Sequence, residues 1–179
     1  MEILIRYFVF LSFLLCIAKG EDVLLVNTYV RMIPKIMVLD TQAALHNPAN
    51  KTILAVVYED KNKNSAKKIA EEINGYYGGR IGNLSFSAVA LPVEELINRH
   101  DIAFAYLTQM GKYSISQISA WGISNSVPTF SYDPKDLDNG ILGSIAIERT
   151  TVIYLNKNVL KLSKIRFNET LFQIARLIE

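Results

Sequence analysis

Between residues 52 and 132 the chain switches repeatedly between two hydrophobic periods. Short apolar runs rich in β-branched residues mark strands, and stretches with an apolar residue every third or fourth position mark helices. Residues 52–58 (Thr-Ile-Leu-Ala-Val-Val-Tyr) form a nearly continuous apolar run, as expected of a strand covered on both faces. Ala66, Ile69, Ala70 and Ile73 then follow at helical spacing, ending before Gly75 and the Gly78-Gly79 pair. Residues 84–91 predict a second strand, and 93–99 a short helix entered through Pro92. A third strand over 102–107, a third helix over 114–123 and a fourth strand over 127–132 complete the series. Ahead of it, Leu25, Tyr29, Met32, Ile33 and Ile36 share one face of a helix within 23–39, which Pro34 should kink or interrupt. Residues 40–50 are polar, contain Pro48 and read as a loop.

After Asp133 the pattern changes. The runs 142–147 and 152–155 lie too close together for an intervening helix, so they predict an antiparallel hairpin. The chain should end in a helix with Asn168 as N-cap, Glu169 in its first turn and a stripe of Leu171, Ile174, Ala175 and Ile178. Alternating strands and helices imply parallel pairing with helices on both faces. The expected fold is therefore an α/β three-layer sandwich: a mostly parallel sheet of about four strands, a C-terminal antiparallel hairpin and a terminal helix.

The amino-terminal pattern belongs to no such layer. Residues 7–18 carry no charge, Arg6 precedes them, and Ala18-Lys19-Gly20 follows as a small-x-small step. That is the plan of a secretory signal peptide, cleaved near Gly20, and twelve residues are too few to span a bilayer. The expected organisation is a leader over 1–20 and a single domain over 21–179, exported to the periplasm. Losing Arg6, Lys19 and Glu2 takes the balance from 19 basic against 17 acidic residues to 17 against 16. Near-neutrality leaves no electrostatic footprint for nucleic acid. Cys16, the only cysteine of the 179 residues, lies in the leader, so the exported domain has no thiol chemistry and no disulfide.

Candidate chemistry is sparse. His46 and His100 are the only histidines, and no close spacing adds acidic ligands to either, so no metal site is expected. Gly122-Ile-Ser124-Asn-Ser126 lacks the second glycine of a nucleophile elbow and precedes a strand, so it reads as a helix end and turn. The cluster from Gly75 to Gly82 follows a helix and leads into a strand, the reverse of a dinucleotide fingerprint, and reads as a connecting loop that exposes Tyr76 and Tyr77. Asp133, Asp136 and Asp138 lack calcium-loop spacing and read as turn chemistry with Pro134 and Gly140. No catalytic residue and no cofactor is expected. Ligands of open parallel sheets sit beyond the carboxyl ends of the strands. There the sequence offers Glu59, Asp60 and Lys61, then Thr108, Gln109 and Met110, then Tyr132 and Asp133.

The tail carries a resemblance. Gly140-Ile-Leu-Gly-Ser-Ile-Ala-Ile-Glu-Arg149, Val152-Ile-Tyr-Leu-Asn156 and Ile165-Arg-Phe-Asn-Glu-Thr-Leu171-Phe-Gln-Ile-Ala175-Arg resemble the C-terminal block of the YfiR-like periplasmic proteins. The leader, first helix and element order resemble that family too, although Lys35 to Asp40 stands where its first helix often closes with Trp-Pro. The resemblance implies a non-catalytic periplasmic regulator that binds, and restrains, a membrane-bound signalling protein such as a diguanylate cyclase through its periplasmic sensor domain. A homodimer is compatible with it. Candidate contacts are Glu59, Asp60, Tyr76, Tyr77, Thr108, Gln109, Tyr132 and Asp133. The alternative is a single-lobe, small-ligand-binding protein related to transporter solute receptors, whose alternation of strands and helices would look the same.

Overall fold

A computed structural model describes residues 26–46 and 51–179. The expected leader over 1–20 lies outside them. Among the described residues no helix is long and apolar enough to cross a membrane.

Helix α1 occupies 26–37, followed by strand β1 (Thr52–Tyr58), α2 (Lys63–Tyr77), β2 (Arg80–Ile81), β3 (Leu84–Pro92), α3 (Val93–Leu96) and β4 (Ile102–Leu107). Then come α4 (Lys112–Asn125), β5 (Thr129–Ser131), β6 (Gly143–Ile147), β7 (Thr151–Asn156), α5 (Lys157–Leu162), α6 (Glu169–Ile174) and β8 (Ala175–Ile178). All the strands form one mixed sheet in the order β2-β3-β1-β4-β5-β6-β7-β8. From β3 to β6 the pairs are parallel; β2 on β3 and β6 on β7 are antiparallel, and β8 returns parallel to β7.

Alternate side chains of the central strands enter two separate cores. Leu54, Val56, Tyr58, Phe104 and Tyr106 face the side covered by Ile33, Ile36 and Met37 of α1 and by Ala66, Ile69 and Ile73 of α2. Ala55, Val57, Ala105 and Leu107 face the other side, under Val93 and Leu96 of α3 and Ile115, Ile118 and Trp121 of α4. Every side chain of β4 is buried, so the sheet has to be covered twice.

The α/β class, the two-sided coverage and the hairpin agree with the sequence reading. The strand count does not: among the described residues the sheet has eight strands. The first addition, β2, pairs with β3 across a tight turn at Gly82-Asn83, with Gly82 at φ 55°. It is two residues long, too short to show a period. The second, β8, corrects the terminal helix. That helix begins at Asn168, whose Oδ1 accepts from the Leu171 amide at 3.4 Å, but it stops at Ile174. Residues 175–178 then pair with β7. Leu171 is fully buried, whereas Ile174 is 56% exposed. A parallel edge beside β7 offers those backbone groups partners that one more helical turn in water would not.

Two further boundaries moved. Helix α1 continues past Pro34, because burying Ile33, Ile36 and Met37 outweighs the one backbone bond that proline forfeits. Helix α2 runs through Gly75 to Tyr77 and ends on the left-handed Gly78. Asn74 stays inside it, its side chain exchanging two hydrogen bonds with the Ala88 backbone (2.8 and 2.9 Å).

After α1 the chain turns at Asp40, which forms an isolated bridge with Phe167. The Thr41 amide donates to the Arg166 carbonyl at 2.8 Å, and the Asn168 amide to that of Leu39 at 2.9 Å. The Asp40 side chain is 4% exposed; one oxygen accepts from the Gln42 amide at 2.9 Å and the other has no partner. Burial pushes this carboxyl up to about 6 from its ordinary value of 3.8, against a smaller opposing pull from the Gln42 amide.

Two predictions follow from this packing. Leu171→Ala should cost about 2–5 kcal/mol in equilibrium unfolding, while Ile174→Ala should cost less than about 1 kcal/mol. For Asp40 the folded state holds the proton more tightly than the unfolded state. Its contribution to stability is therefore complete below about pH 4 and lost as pH rises through about 6, a loss on the order of 3 kcal/mol. Asp40→Asn, which keeps the turn acceptor without the charge, should flatten that dependence and raise stability at pH 7.5.

Candidate functional site

The strand order reverses between β1 and β4. From β1 the chain moves outward to β3, then returns past β1 to β4 and continues to β5 and β6. Consequently α2 leaves β1 over one face of the sheet while α4 leaves β4 over the other. Two neighbouring loops part company there, and the carboxyl edge opens into a crevice. In this structure it is a cleft of about 410 Å³.

Its walls come from four elements. Helix α1 supplies Val26 and Tyr29; the start of α2 supplies Asn62, Ser65, Lys68 and Ile69. Strand β4 and the residues after it supply Tyr106, Thr108 and Gln109, and Tyr132 closes the side beyond β5. Most of the exposed lining is apolar, and Lys68 is its one charged side chain.

The loops beneath the cleft are held by specific bonds. Glu59 turns its carboxylate away from the cleft to the amino end of α4. There Oε1 accepts from the Gly111 amide at 2.9 Å and from the Ser114 hydroxyl at 2.7 Å. Gly111 is the N-cap of α4 and has no side chain to cap with, so a residue from the β1 loop does it. Those two bonds, foremost that from Ser114, hold the Glu59 carboxyl below its ordinary range, with Lys61 3.8 Å away assisting. Asn62 donates to the Gln109 carbonyl at 2.6 Å, joining the two diverging loops. That leaves the first turn of α2 without a side-chain cap from Asn62. Thr108 is buried and donates its hydroxyl to the Val57 carbonyl at 2.9 Å.

Three tyrosines form the floor and one side. The Tyr29 and Tyr106 rings lie 5.4 Å apart with a tilt of 40°, and their side chains share a hydrogen bond. Burial pushes the Tyr106 hydroxyl well above its ordinary value, and Tyr29 and Tyr132 beside it add to the rise. Burial also raises Tyr29 and Tyr132; for Tyr132 the charges of Asp133 and Asp136 contribute further. All three stay protonated at neutral pH and present O–H groups among apolar carbons.

Of the residues singled out in the sequence, Thr108, Gln109 and Tyr132 meet in the cleft. Glu59 lies behind it as the cap of α4, and Asp60 opens the one-turn 3₁₀ segment Asp60–Asn62. Asp133 caps the 3₁₀ segment Pro134–Asn139, accepting from the Lys135 amide at 3.0 Å, which matches its reading as turn chemistry. The serine run is likewise a helix end: Ser126 caps α4 in the left-handed conformation. Tyr76 and Tyr77 stand apart, at the far end of α2. Their rings pack edge to face at 4.9 Å, the Tyr77 hydroxyl donates to the Arg31 carbonyl at 2.7 Å, and the Arg31 guanidinium lies 5.2 Å from the Tyr76 ring centre. Sequence reasoning missed Tyr29, Lys68 and Tyr106. For Tyr106 a signal existed, because a tyrosine at the carboxyl end of an otherwise apolar strand needs a place for its hydroxyl.

No protein-family model matches the sequence, and no curated protein matches it. Its fold does have solved counterparts. The ABC domain from Streptococcus pneumonia in complex with L-Trp superposes with a TM-score of 0.58 at 9% identity, over 84% of this chain and 60% of that one. A conserved domain protein from Vibrio cholerae gives 0.59 at 12% identity, over 86% and 60%. A substrate-binding protein with adhesive properties from Clostridium difficile, in its ligand-free, open form, gives 0.54 at 14%, over 77% and 57%. This chain thus spans about three-fifths of the length of these neighbours. The likeness is one of fold, a doubly wound α/β domain.

The Glu59 cap yields a prediction. Its folded value is depressed, so its stabilisation is present at neutral pH and disappears as acidification protonates it below the ordinary carboxylate range. Glu59→Ala should cost about 1–2 kcal/mol at pH 7, and the difference from the parent should shrink in unfolding curves taken toward pH 3.

Proposed function

We propose that this chain is a non-catalytic, small-molecule-binding domain of the exported substrate-binding type, and that its ligand lies in the cleft between β1 and β4. The observation that carries this reading is the cleft itself. A recess of about 410 Å³ at the crossover of a doubly wound sheet is lined by apolar carbons and a few convergent polar groups. The Val26 and Ile69 side chains and the Tyr29 and Tyr132 rings suit an aromatic or branched apolar body. Lys68, whose ammonium lies 3.8 Å from the Glu72 carboxylate, suits a ligand carboxylate. The streptococcal neighbour, solved with L-Trp, is a protein of this fold with a ligand of that chemistry. Export through a leader over residues 1–20 belongs to the same proposal.

A second reading has its own observation. The exposed Tyr76, with Arg31 over its ring, borders a groove of about 390 Å³ between α1 and α2 that shares Val26 and Lys68 with the cleft. An aromatic and a guanidinium at a surface groove are the residue types enriched at protein interfaces. This patch is where the domain would restrain a membrane-bound signalling partner such as a diguanylate cyclase.

One experiment separates the two. Thermal unfolding of the 21–179 domain should be followed with L-tryptophan, L-tyrosine and L-phenylalanine. A cleft ligand at about 100 times its Kd should add roughly 2.7 kcal/mol of stability. Lys68→Ala and Tyr132→Ala should abolish that gain, and Tyr76→Ala should keep it. If none of the three stabilises the protein, while Tyr76→Ala abolishes capture of a sensor-bearing cyclase from solubilised envelope, the second reading replaces the first.

A further inference from the structure

The β1–β4 cleft and the α1–α2 groove adjoin at Val26 and Lys68, which line both. Helix α2 presents Ser65, Lys68 and Ile69 to the cleft, then Lys68, Glu72 and Tyr76 to the groove. These positions fall at i, i+3, i+4, i+7 and i+11, which is one face of a helix. The charges on that face come in order. Lys68 stands where the two recesses meet, and Glu72 follows one turn on. Lys68 Nζ lies 3.8 Å from Glu72 Oε1, and both side chains keep access to solvent, at 59% and 41% exposed.

This pair sets a condition on any charged head group that reaches Lys68, because its ammonium is already balanced by Glu72. A ligand with a carboxylate alone would bring a second negative charge beside Glu72, and the two would compete for one ammonium. A ligand with an amine alone would crowd a second cation against Lys68. A head that carries both charges meets neither penalty. In an α-amino acid the ammonium and the carboxylate are joined through one carbon, so they are spaced like an ion pair in contact. Laid antiparallel to Lys68 and Glu72, such a head turns a single exposed pair into a ring of alternating charges, each with two opposite neighbours.

We propose that the head group recognised at this end of the cleft is zwitterionic: a free α-amino acid whose carboxylate meets Lys68 and whose ammonium meets Glu72. The inference rests on the cleft reading above and adds the ammonium partner, a residue of the adjoining groove. Ser65, one turn before Lys68 on the same face, offers the carboxylate a hydroxyl donor. The ligand side chain then enters between Val26 and Ile69, where the walls are apolar.

The test is a calorimetric titration with three ligands that share one indole ring. They are L-tryptophan, indole-3-propionate, which lacks the ammonium, and tryptamine, which lacks the carboxylate. L-Tryptophan should bind about fivefold more tightly than either of the others, the scale of a solvent-exposed ion pair. Glu72→Gln should weaken L-tryptophan and strengthen indole-3-propionate, reversing their order, because the carboxylate then has Lys68 to itself. Lys68→Gln should reverse the order in favour of tryptamine. A purely structural role for the pair would shift all three ligands together. Equal binding of indole-3-propionate or tryptamine by the parent protein, or an unchanged ranking in Glu72→Gln, would overturn the zwitterionic assignment and leave the cleft reading standing. If none of the three ligands binds, the cleft reading falls and this inference falls with it.

Discussion

The rest of the structure depends on β1 and β4 having side chains that shun water on both faces. Leu54, Val56, Phe104 and Tyr106 need cover on one side; Ala55, Val57, Ala105 and Leu107 need it on the other. A chain that must cover both sides cannot send every crossover the same way. It lays α2 over one face and α4 over the other, and the two departing loops separate at the carboxyl edge. The cleft is therefore a by-product of burial: the same constraint that builds the three layers opens the recess.

What makes that recess a defined shape is the bonding behind it. Glu59 reaches from the β1 loop to cap α4, and Asn62 reaches from the start of α2 to the loop after β4. Both side chains belong to the segment between β1 and α2 and both bond the segment after β4, so the two loops are tied together. With those polar groups committed to holding the frame, the polar side chains left to face the cleft are the tyrosine hydroxyls, Ser65, Gln109 and Lys68, among apolar walls. Pre-organisation of this sort reduces the ordering cost of binding. The solved neighbours share the fold, and this chain spans about three-fifths of their length.

Packing at the amino-terminal edge is tight for a different reason. Leu39, Asp40 and Thr41 are bonded to residues 166–168, which ties the first helix to the last segment of the chain. Among the described residues the buried side-chain polar atoms without a partner are those of Asp40 (one oxygen), Ser144 and Ser163. Of these Asp40 alone is ionisable, so its orphaned oxygen carries the greatest energetic consequence.

How much could be read in advance follows the range of the interactions involved. The alternation of strands and helices, the two-sided burial of β1 and β4, the β6–β7 hairpin and the capping by Asn168 were legible, because each is set by residues within a turn or a strand of one another. The end of α6, the continuation of α1 through Pro34 and the additions of β2 and β8 were not. In each of these a local preference yielded to a partner distant in sequence: β8 leaves the helical stripe because β7 presents an edge, and α1 tolerates proline because the sheet buries its apolar face. The candidate site divided along the same line. Chain order alone pointed to Thr108, Gln109 and Tyr132, since strand ends are visible in a sequence. Only the tertiary structure brought Tyr29 of α1 and Lys68 of α2 to them, turned Glu59 away to cap α4, and set Tyr76 and Tyr77 apart. Helix packing against a twisted sheet sets which side chains from different elements converge, and no local pattern encodes that distance.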